Sequence, residues 1–489
     1  MSTPLINALE ALKNENRISF HTPGHKKGGA FSTRGDGGIQ KNLYQYDTTE
    51  VFGTDQLQNP SGVIRASQQW TAEIFGSREA YYLVNGASGG ILAMILSQTR
   101  PGDEILLPRD VHQSVIHALI LGDLTPRFIH PHRDPYFKIP RGITPDQVKE
   151  GLEKHPKVKG VLLTHPNYYG RGSGIQEIRE WTKAAGKLLW VDQAHGAHFG
   201  LHHELPESGV TVGADLTVMG FHKTLPTLTQ GAVLFTRGDL VDRERLQEQL
   251  NIHQSSSPSY ILMASIEQGA ALYREEGKEK IEALLWGIHR LEKQFQSLSL
   301  FQLDREPGKD RTKIWIRTEN SGLKGEEVET YIRENHGIDL ELSLPQGVLA
   351  LASMGNGEKD LKKLYLAFEE LEKTLYNKKK SPSCPRGFPQ GTSKVWEGRK
   401  EARDKGKFGE IGPLSLRGAF YSPKERVSIN KSLNRVAASA VTPYPPGIPL
   451  ILPGETLTES HIEKLKKYRE KGTEVNGIKN GQILVITEE

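Results

Sequence analysis

Cysteine is nearly absent from this chain: Cys384 is the single one in 489 residues. One thiol excludes an intramolecular disulfide framework and suits a reducing compartment. Its setting among prolines, SPSCPRG, reads as a spare thiol on a linker and not as a buried nucleophile. Long apolar runs are missing as well. No stretch approaches the ~18 uninterrupted apolar residues of a membrane span, and the N-terminal MSTPLINALEALKNENR has no basic region followed by an apolar run, as a secretory signal would. No membrane association is expected, and the expected compartment is the cytoplasm. Charge of one sign is in small excess only, 63 Lys and Arg against 59 Asp and Glu, for a formal charge of +4. Aromatic residues make up 7% and are not interleaved with the basic ones on a face, so a nucleic-acid groove is not expected. What remains, 36% hydrophobic and 25% charged, is an ordinary globular composition with material for a main core and one or two smaller domains.

Seven short apolar or β-branched runs recur between residues 80 and 236: AYYLVN, EILLP, RFIHP, GVLLTHP, KLLWVD, LTVMGF and GAVLF. They are continuous and not alternating, the pattern of strands buried on both faces of a mainly parallel sheet, and several gaps are long enough for a crossover helix. The large domain is therefore α/β, over residues 41–294 after an N-terminal segment 1–40. Beyond Tyr260 the pattern becomes a long helical stretch. The strands KIWIRT and VLALAS then point to a small α+β domain at 295–376. From 377 to 408 there are ten Lys or Arg against three Asp or Glu and almost no aliphatic residues, so 377–410 reads as a basic, solvated linker. Residues 411–489, with VTPYPPGIPLILPGE, complete a C-terminal domain in which prolines hold an extended path.

The chemistry starts from GFHKTLPTLTQGAVL. Lys223 follows an apolar strand and so leaves the sheet at an edge; ligands bind α/β proteins at the carboxyl ends of parallel strands, and a desolvated amine there has the lowered pKa needed to form an imine. Alone, such a lysine is an ordinary loop residue. Asp192, at the end of KLLWVD, supplies a carboxylate able to hydrogen-bond the ring nitrogen of pyridoxal and keep it protonated, although an Asx turn would use the same residue. In NGASGGILAMIL a strand runs through Gly86, Ala87 and Ser88 into an apolar helix, and glycines with a free helix N-terminus suit a phosphate. The segment lacks the G-x-G opening of a dinucleotide fingerprint. His112, after EILLP, could reach the same edge and stack on a pyridine face. DQAHGAHFGLHH offers His195, His198, His202 and His203. Without a helix-borne H-E-x-x-H, and with glycines breaking the register, a metal is the weaker reading, and His195 beside Asp192 belongs to the cofactor site.

With these residues in view, the chain resembles the Orn/Lys/Arg decarboxylases of fold type I, in particular the short bacterial arginine/lysine decarboxylase-like group. The stretches that carry the likeness run nearly end to end: FHTPGHKKG, LVNGASGG, PRDVHQSV, THPNYYG, VDQAHGAHF, GFHKTLPTLTQ, QSSSPSYILMAS and YPPGIPLILPGE. The resemblance implies an aminotransferase-like large domain with a seven-stranded sheet, a small domain and a C-terminal domain, in a homodimer or a multiple of one. It implies pyridoxal 5'-phosphate held as an imine on Lys223, Asp192 at the pyridine nitrogen, His112 on the ring, and Ser88 and His222 near the phosphate. Gly86, Ala87 and His195 complete the cofactor set, with Ser256 in the run Ser255 to Ser257 reaching in from a neighbouring subunit. Glu341 and His25 are the expected substrate contacts. The implied reaction is decarboxylation of arginine, lysine or ornithine, with Lys223 and His222 as candidate proton donors.

The departures from the family pattern fall together. Gln193 stands where relatives read DEAHG, Leu344 ends ELSL where they read ELSD, and Ser439 replaces the acid of the SAE segment; Ala87 and Gly220 replace small hydroxyl residues. Three carboxylates near the implied pocket are thus absent, which bears on the substrate more than on the cofactor. Three activities stay open: a basic-amino-acid decarboxylase, a pyridoxal enzyme with another substrate or outcome, and a non-catalytic cofactor-binding relative.

Overall fold

The structure, a computed structural model, describes residues 18–20, 24, 26, 29, 48–50, 53–380, 414–444, 447–470 and 475–487. Cys384, His25 and all but the first few residues of the basic linker lie outside that set. The chain opens with a short strand, β1 (Ile18–Phe20), and a helix, α1 (Val63–Phe75). Seven strands then build the central sheet: β2 (Glu79–Leu83), β3 (Glu104–Pro108), β4 (Thr125–Ile129), β5 (Gly160–Thr164), β6 (Leu188–Asp192), β7 (Leu216–Met219) and β8 (Ala232–Thr236). Each overlaps one of the seven apolar runs. Every residue of β6, β7 and β8 is buried, as strands covered on both faces must be. The spatial order is β2-β8-β7-β6-β5-β3-β4, and all pairings are parallel except those of β8, which runs antiparallel to both neighbours.

Side chains alternate across these strands, and the two faces meet different helices. Leu162 and Trp190 face α2 (Gly86–Gln98) and α3 (Gln113–Gly122), whereas Val161, Leu163, Leu189 and Val191 face α4 (Pro145–Lys154) and α5 (Ile175–Ala184). A four-residue helix, α6 (Phe221–Thr224), follows β7 directly. Beyond α7 (Arg243–His253), the expected long helix is two, α8 (Tyr260–Glu275) and α9 (Gly277–Phe295). Gly277 opens the second because the chain there lies against Leu201: a Cβ would stand 2.8 Å from its Cδ2.

The small lobe holds β9 (Gln302–Leu303), β10 (Lys313–Arg317), α10 (Gly325–His336), β11 (Ile338–Leu340), β12 (Leu342–Leu344), β13 (Gly347–Leu351) and α11 (Glu358–Lys380), with sheet order β12-β13-β10-β9. Helix α11 continues through Lys380, so the start of the stretch read as a linker is helical. β1 pairs in parallel with β11, so this strand of the N-terminal segment belongs to the small lobe. One apolar core runs from Phe75 and Phe221 of the large domain to Ile314, Val348 and Phe368 of the small one. The C-terminal domain has its own core around Ile429, Val441, Ile451, Leu465 and Val485. Among the described residues no helix is long and apolar enough to cross a membrane.

Candidate active site

The carboxyl ends of β6 and β7 and the amino ends of α2 and α3 converge on one edge of the sheet. Asp192, the last residue of β6, has the parity of Trp190 and so faces the α2 and α3 side. It is 3% exposed, and the one hydrogen bond to its carboxylate among the described residues comes from the Ala194 N–H at 3.1 Å. Burial pushes its carboxyl above the usual range, while the charge of Lys223 opposes the rise. A buried carboxylate with so few donors fits the protonated nitrogen of a pyridine ring.

Lys223 sits in α6, where Gly220 ends the preceding strand connection. A Cβ at Gly220 would lie 2.7 Å from the Ala194 carbonyl oxygen, so glycine is what lets the two strand ends approach. Burial lowers the Lys223 amine, with Asp192 and Glu341 pulling it back. Its Nζ is 3.0 Å from Nε2 of His195. On the other side of that ring, Nδ1 is 2.6 Å from Nζ of Lys313, a fully buried residue at the start of β10 in the small lobe.

Two further histidines stand near. His112 caps α3: its Nδ1 accepts from the Ser114 N–H at 3.2 Å, and burial, with Lys223 close by, lowers it to about 3. The C-terminal domain covers it, for a Cβ at Gly447 would come within 3.2 Å of its Nε2. His222 donates from Nδ1 to the Gly231 carbonyl at 3.0 Å and is lowered to about 4 by burial. Both rings are neutral at pH 7.

The start of α2 forms the third part. Gly86 takes φ 71, Ala87 is buried and Ser88 is exposed; no side chain caps the helix and no acid lies in its first turn. First-turn N–H groups have no intrahelical acceptor, and with the dipole they suit a phosphate. A buried acid for a ring nitrogen, a buried amine and an acid-free helix N-terminus thus fit pyridoxal phosphate.

Glu341, after β11, accepts from the Tyr168 hydroxyl at 2.7 Å and lies in the fields of Lys26 and Lys313. Gln193 does not line this site. With the opposite parity to Asp192 it donates to the Gly196 carbonyl (2.7 Å) and Ser208 Oγ (3.1 Å) and accepts from the Gly209 N–H (2.7 Å), so the reading that placed it among lost pocket carboxylates is corrected. Leu344 packs beside Tyr169, Trp315 and Leu349. The histidines of DQAHGAHFGLHH also separate: His195 faces the two lysines, and His198 meets Asp310 at 3.2 Å. His202 and His203 lie with Glu204, their ligand atoms within 4.8 Å. Ser255 to Ser257 are exposed. Sequence reasoning missed Lys313, Tyr168 and Lys26; the latter two sit inside motifs already quoted, while KIWIRT carried no chemical signal.

Comparison with known proteins agrees. The profile of the Orn/Lys/Arg decarboxylase major domain matches residues 3–306, and that of the C-terminal domain residues 418–480. The chain is 32% identical over 485 residues to an arginine decarboxylase of Bacillus anthracis, covering 97% of this chain and 94% of that protein. It is 35% identical over 501 residues to the uncharacterized protein YaaO of Bacillus subtilis, covering 100% and 99%. A lysine decarboxylase from Francisella novicida superposes with a TM-score of 0.75 at 20% identity, covering 98% of this chain and 80% of that one, which speaks for the fold. Major and C-terminal domains are thus matched in one chain and in order, and the chain belongs to the Orn/Lys/Arg decarboxylase family of pyridoxal-phosphate enzymes.

Proposed function

We propose that the chain decarboxylates a basic amino acid, arginine ahead of lysine or ornithine, to the amine and carbon dioxide, with Lys223 as the residue that carries the cofactor. The observation behind this is the buried Lys223 amine, lowered by desolvation, in the field of Asp192 and 3.0 Å from His195 at the carboxyl edge of the sheet. The substrate rests on the arginine decarboxylase named among the relatives at 32% identity. Bound pyridoxal phosphate supplies a protonated ring that accepts the electron pair left as the carboxylate departs.

This chain's residues do the rest. Asp192 keeps a proton on the ring nitrogen. The N–H groups at Gly86, Ala87 and Ser88 hold the phosphate, with His222 beside them. His112, neutral and covered by Gly447, would offer its ring to stack on the pyridine. Glu341 holds the basic end of the substrate, with His25 a second contact. Lys223, or His222, returns a proton to the α-carbon. We also propose a cytoplasmic homodimer in which the exposed Ser255, Ser256 and Ser257 serve the neighbouring copy's site.

A second reading, the same chemistry on another amino acid, is favoured by Ser439, whose buried Oγ has no hydrogen-bond partner among the described residues, and by apolar Leu344. Purified protein loaded with pyridoxal phosphate, given each common amino acid in turn and scored for carbon dioxide and amine, decides between them. Turnover of arginine, abolished together with the visible absorption in Lys223→Ala, is expected. Failure of arginine, lysine and ornithine alike, with another amino acid reacting, supports the second reading. A wild type without visible absorption ends both.

A further inference from the structure

His195 is held between two amines, and that arrangement limits where protons can be. Burial and the cations around it, Lys223 and Lys313 first, push the ring well below its ordinary pKa, so it is neutral with one N–H and one bare nitrogen. An ammonium has only donors and must face the bare nitrogen. The ring N–H must then face an unprotonated amine. The two amines therefore cannot both be charged, and with one of them charged two arrangements satisfy both contacts: Lys313 charged and Lys223 free, or the reverse.

The geometry separates them. The contact of Lys313 Nζ with Nδ1 is 2.6 Å and that of Lys223 Nζ with Nε2 is 3.0 Å. Charge-assisted hydrogen bonds are the shorter kind, and ~3.0 Å is ordinary for a neutral pair. Lys313 Nζ also stands 5.1 Å from the centre of the Tyr168 ring, a face that favours a cation, and Glu341 and Asp310 lie close enough to support its charge. Lys313 is lowered by burial only to about 8 and so is charged at neutral pH.

We propose that Lys313 is a positioning residue: its ammonium donates to Nδ1 of His195, fixes the ring as the Nε2–H tautomer, and so keeps the Lys223 nitrogen a free amine beside an N–H donor. This rests on the reading of Lys223 as the cofactor-bearing lysine. The small lobe thereby sets the protonation of a residue in the large domain. Of the other groups around His195, His112 and His222 are neutral and the Tyr168 ring that meets it edge-on keeps its proton, raised by burial, so with Lys223 free Lys313 is the cation that sets its tautomer.

The test uses the cofactor-free protein labelled with ¹⁵N-histidine, the His195 resonances being those missing from His195→Gln. A protonated Nε2 with a bare Nδ1 is expected at pH 7; an Nδ1–H tautomer or an imidazolium overturns the proposal, and this needs no Lys313 variant to fold. In Lys313→Met the signals should move toward mixed tautomers and in Lys313→Arg return. In the cofactor-loaded protein, removing a like charge should raise the pH midpoint of the visible absorption by about one unit in Lys313→Met, with Lys313→Arg near wild type. An unchanged midpoint in Lys313→Met also overturns the proposal. A wild type with the expected tautomer but no visible absorption would instead sink only the assignment of Lys223.

Discussion

Arg109 and Glu455 form an ion pair sealed between the central sheet and the C-terminal domain. Each is 1% exposed; the guanidinium donates to both carboxylate oxygens, at 2.9 and 3.2 Å, and to the Pro449 carbonyl at 2.9 Å. The pair holds in place the segment whose Gly447 carbonyl accepts from the Gln113 N–H at 3.0 Å, beside His112.

Breaking one side of such a pair leaves a buried charge uncompensated. Arg109→Met or Glu455→Gln is therefore expected to lower the unfolding free energy by about 3–5 kcal/mol in urea titrations, and Arg109→Met with Glu455→Met to recover much of that loss. With the segment over His112 loosened, the single variants should also retain pyridoxal phosphate less well in dialysis. A single variant as stable as wild type would show that the pair contributes nothing.

Gln193→Glu is expected to destabilise by about 1–3 kcal/mol, because the Gly196 carbonyl loses its donor and meets a carboxylate oxygen instead. No gain of activity on arginine, lysine or ornithine should accompany it. A gain would return this position to the substrate pocket.

Acidification should act through buried histidines. His112 is lowered to about 3, and His165 and His222 to about 4, all by burial. Between the ordinary value of ~6.5 and these folded-state values, the unfolded chain binds more protons, so stability rises with pH and falls on acidification, by up to ~1.4 kcal/mol per pH unit for each ring. Denaturation between pH 6.5 and 4.5 should show the loss, and a folded His165→Asn variant should show a shallower slope. Equal slopes would remove His165 from the account.

Gly220→Ala places a methyl group 2.7 Å from the Ala194 carbonyl oxygen and 3.4 Å from Cδ of Lys223. Backbone must give way, at about 1–3 kcal/mol. Lys223 moves with it. The expected result is a folded protein, by circular dichroism, in which added pyridoxal phosphate gains its visible absorption at least tenfold more slowly.

The large domain was legible because its strands are buried on both faces, and uninterrupted apolar runs such as KLLWVD and LTVMGF mark them directly. Asp192 and Lys223 were legible for the same reason, as each follows such a run. Lys313 was not. It opens a strand in another lobe, and only the docking of β10 against the sheet edge brings its amine to His195. Gln193 misled because substitution by likeness says nothing of which way a side chain turns; strand parity sends it away from Asp192. The single long helix became two because helical periodicity does not register how closely Leu201 approaches Gly277.

The pairing of β1 with β11 ties the beginning of the chain to a strand made much later. Ser19 accepts a hydrogen bond from Asn356, 337 residues on. During synthesis at ~5–20 residues per second, that first strand waits well over ten seconds for its partner. Until then it exposes an unpaired edge, open to pairing with another nascent chain. The β1–β11 connection thus closes only after the whole large domain has been made, and the interval before it closes is one in which a chaperone would shield that edge.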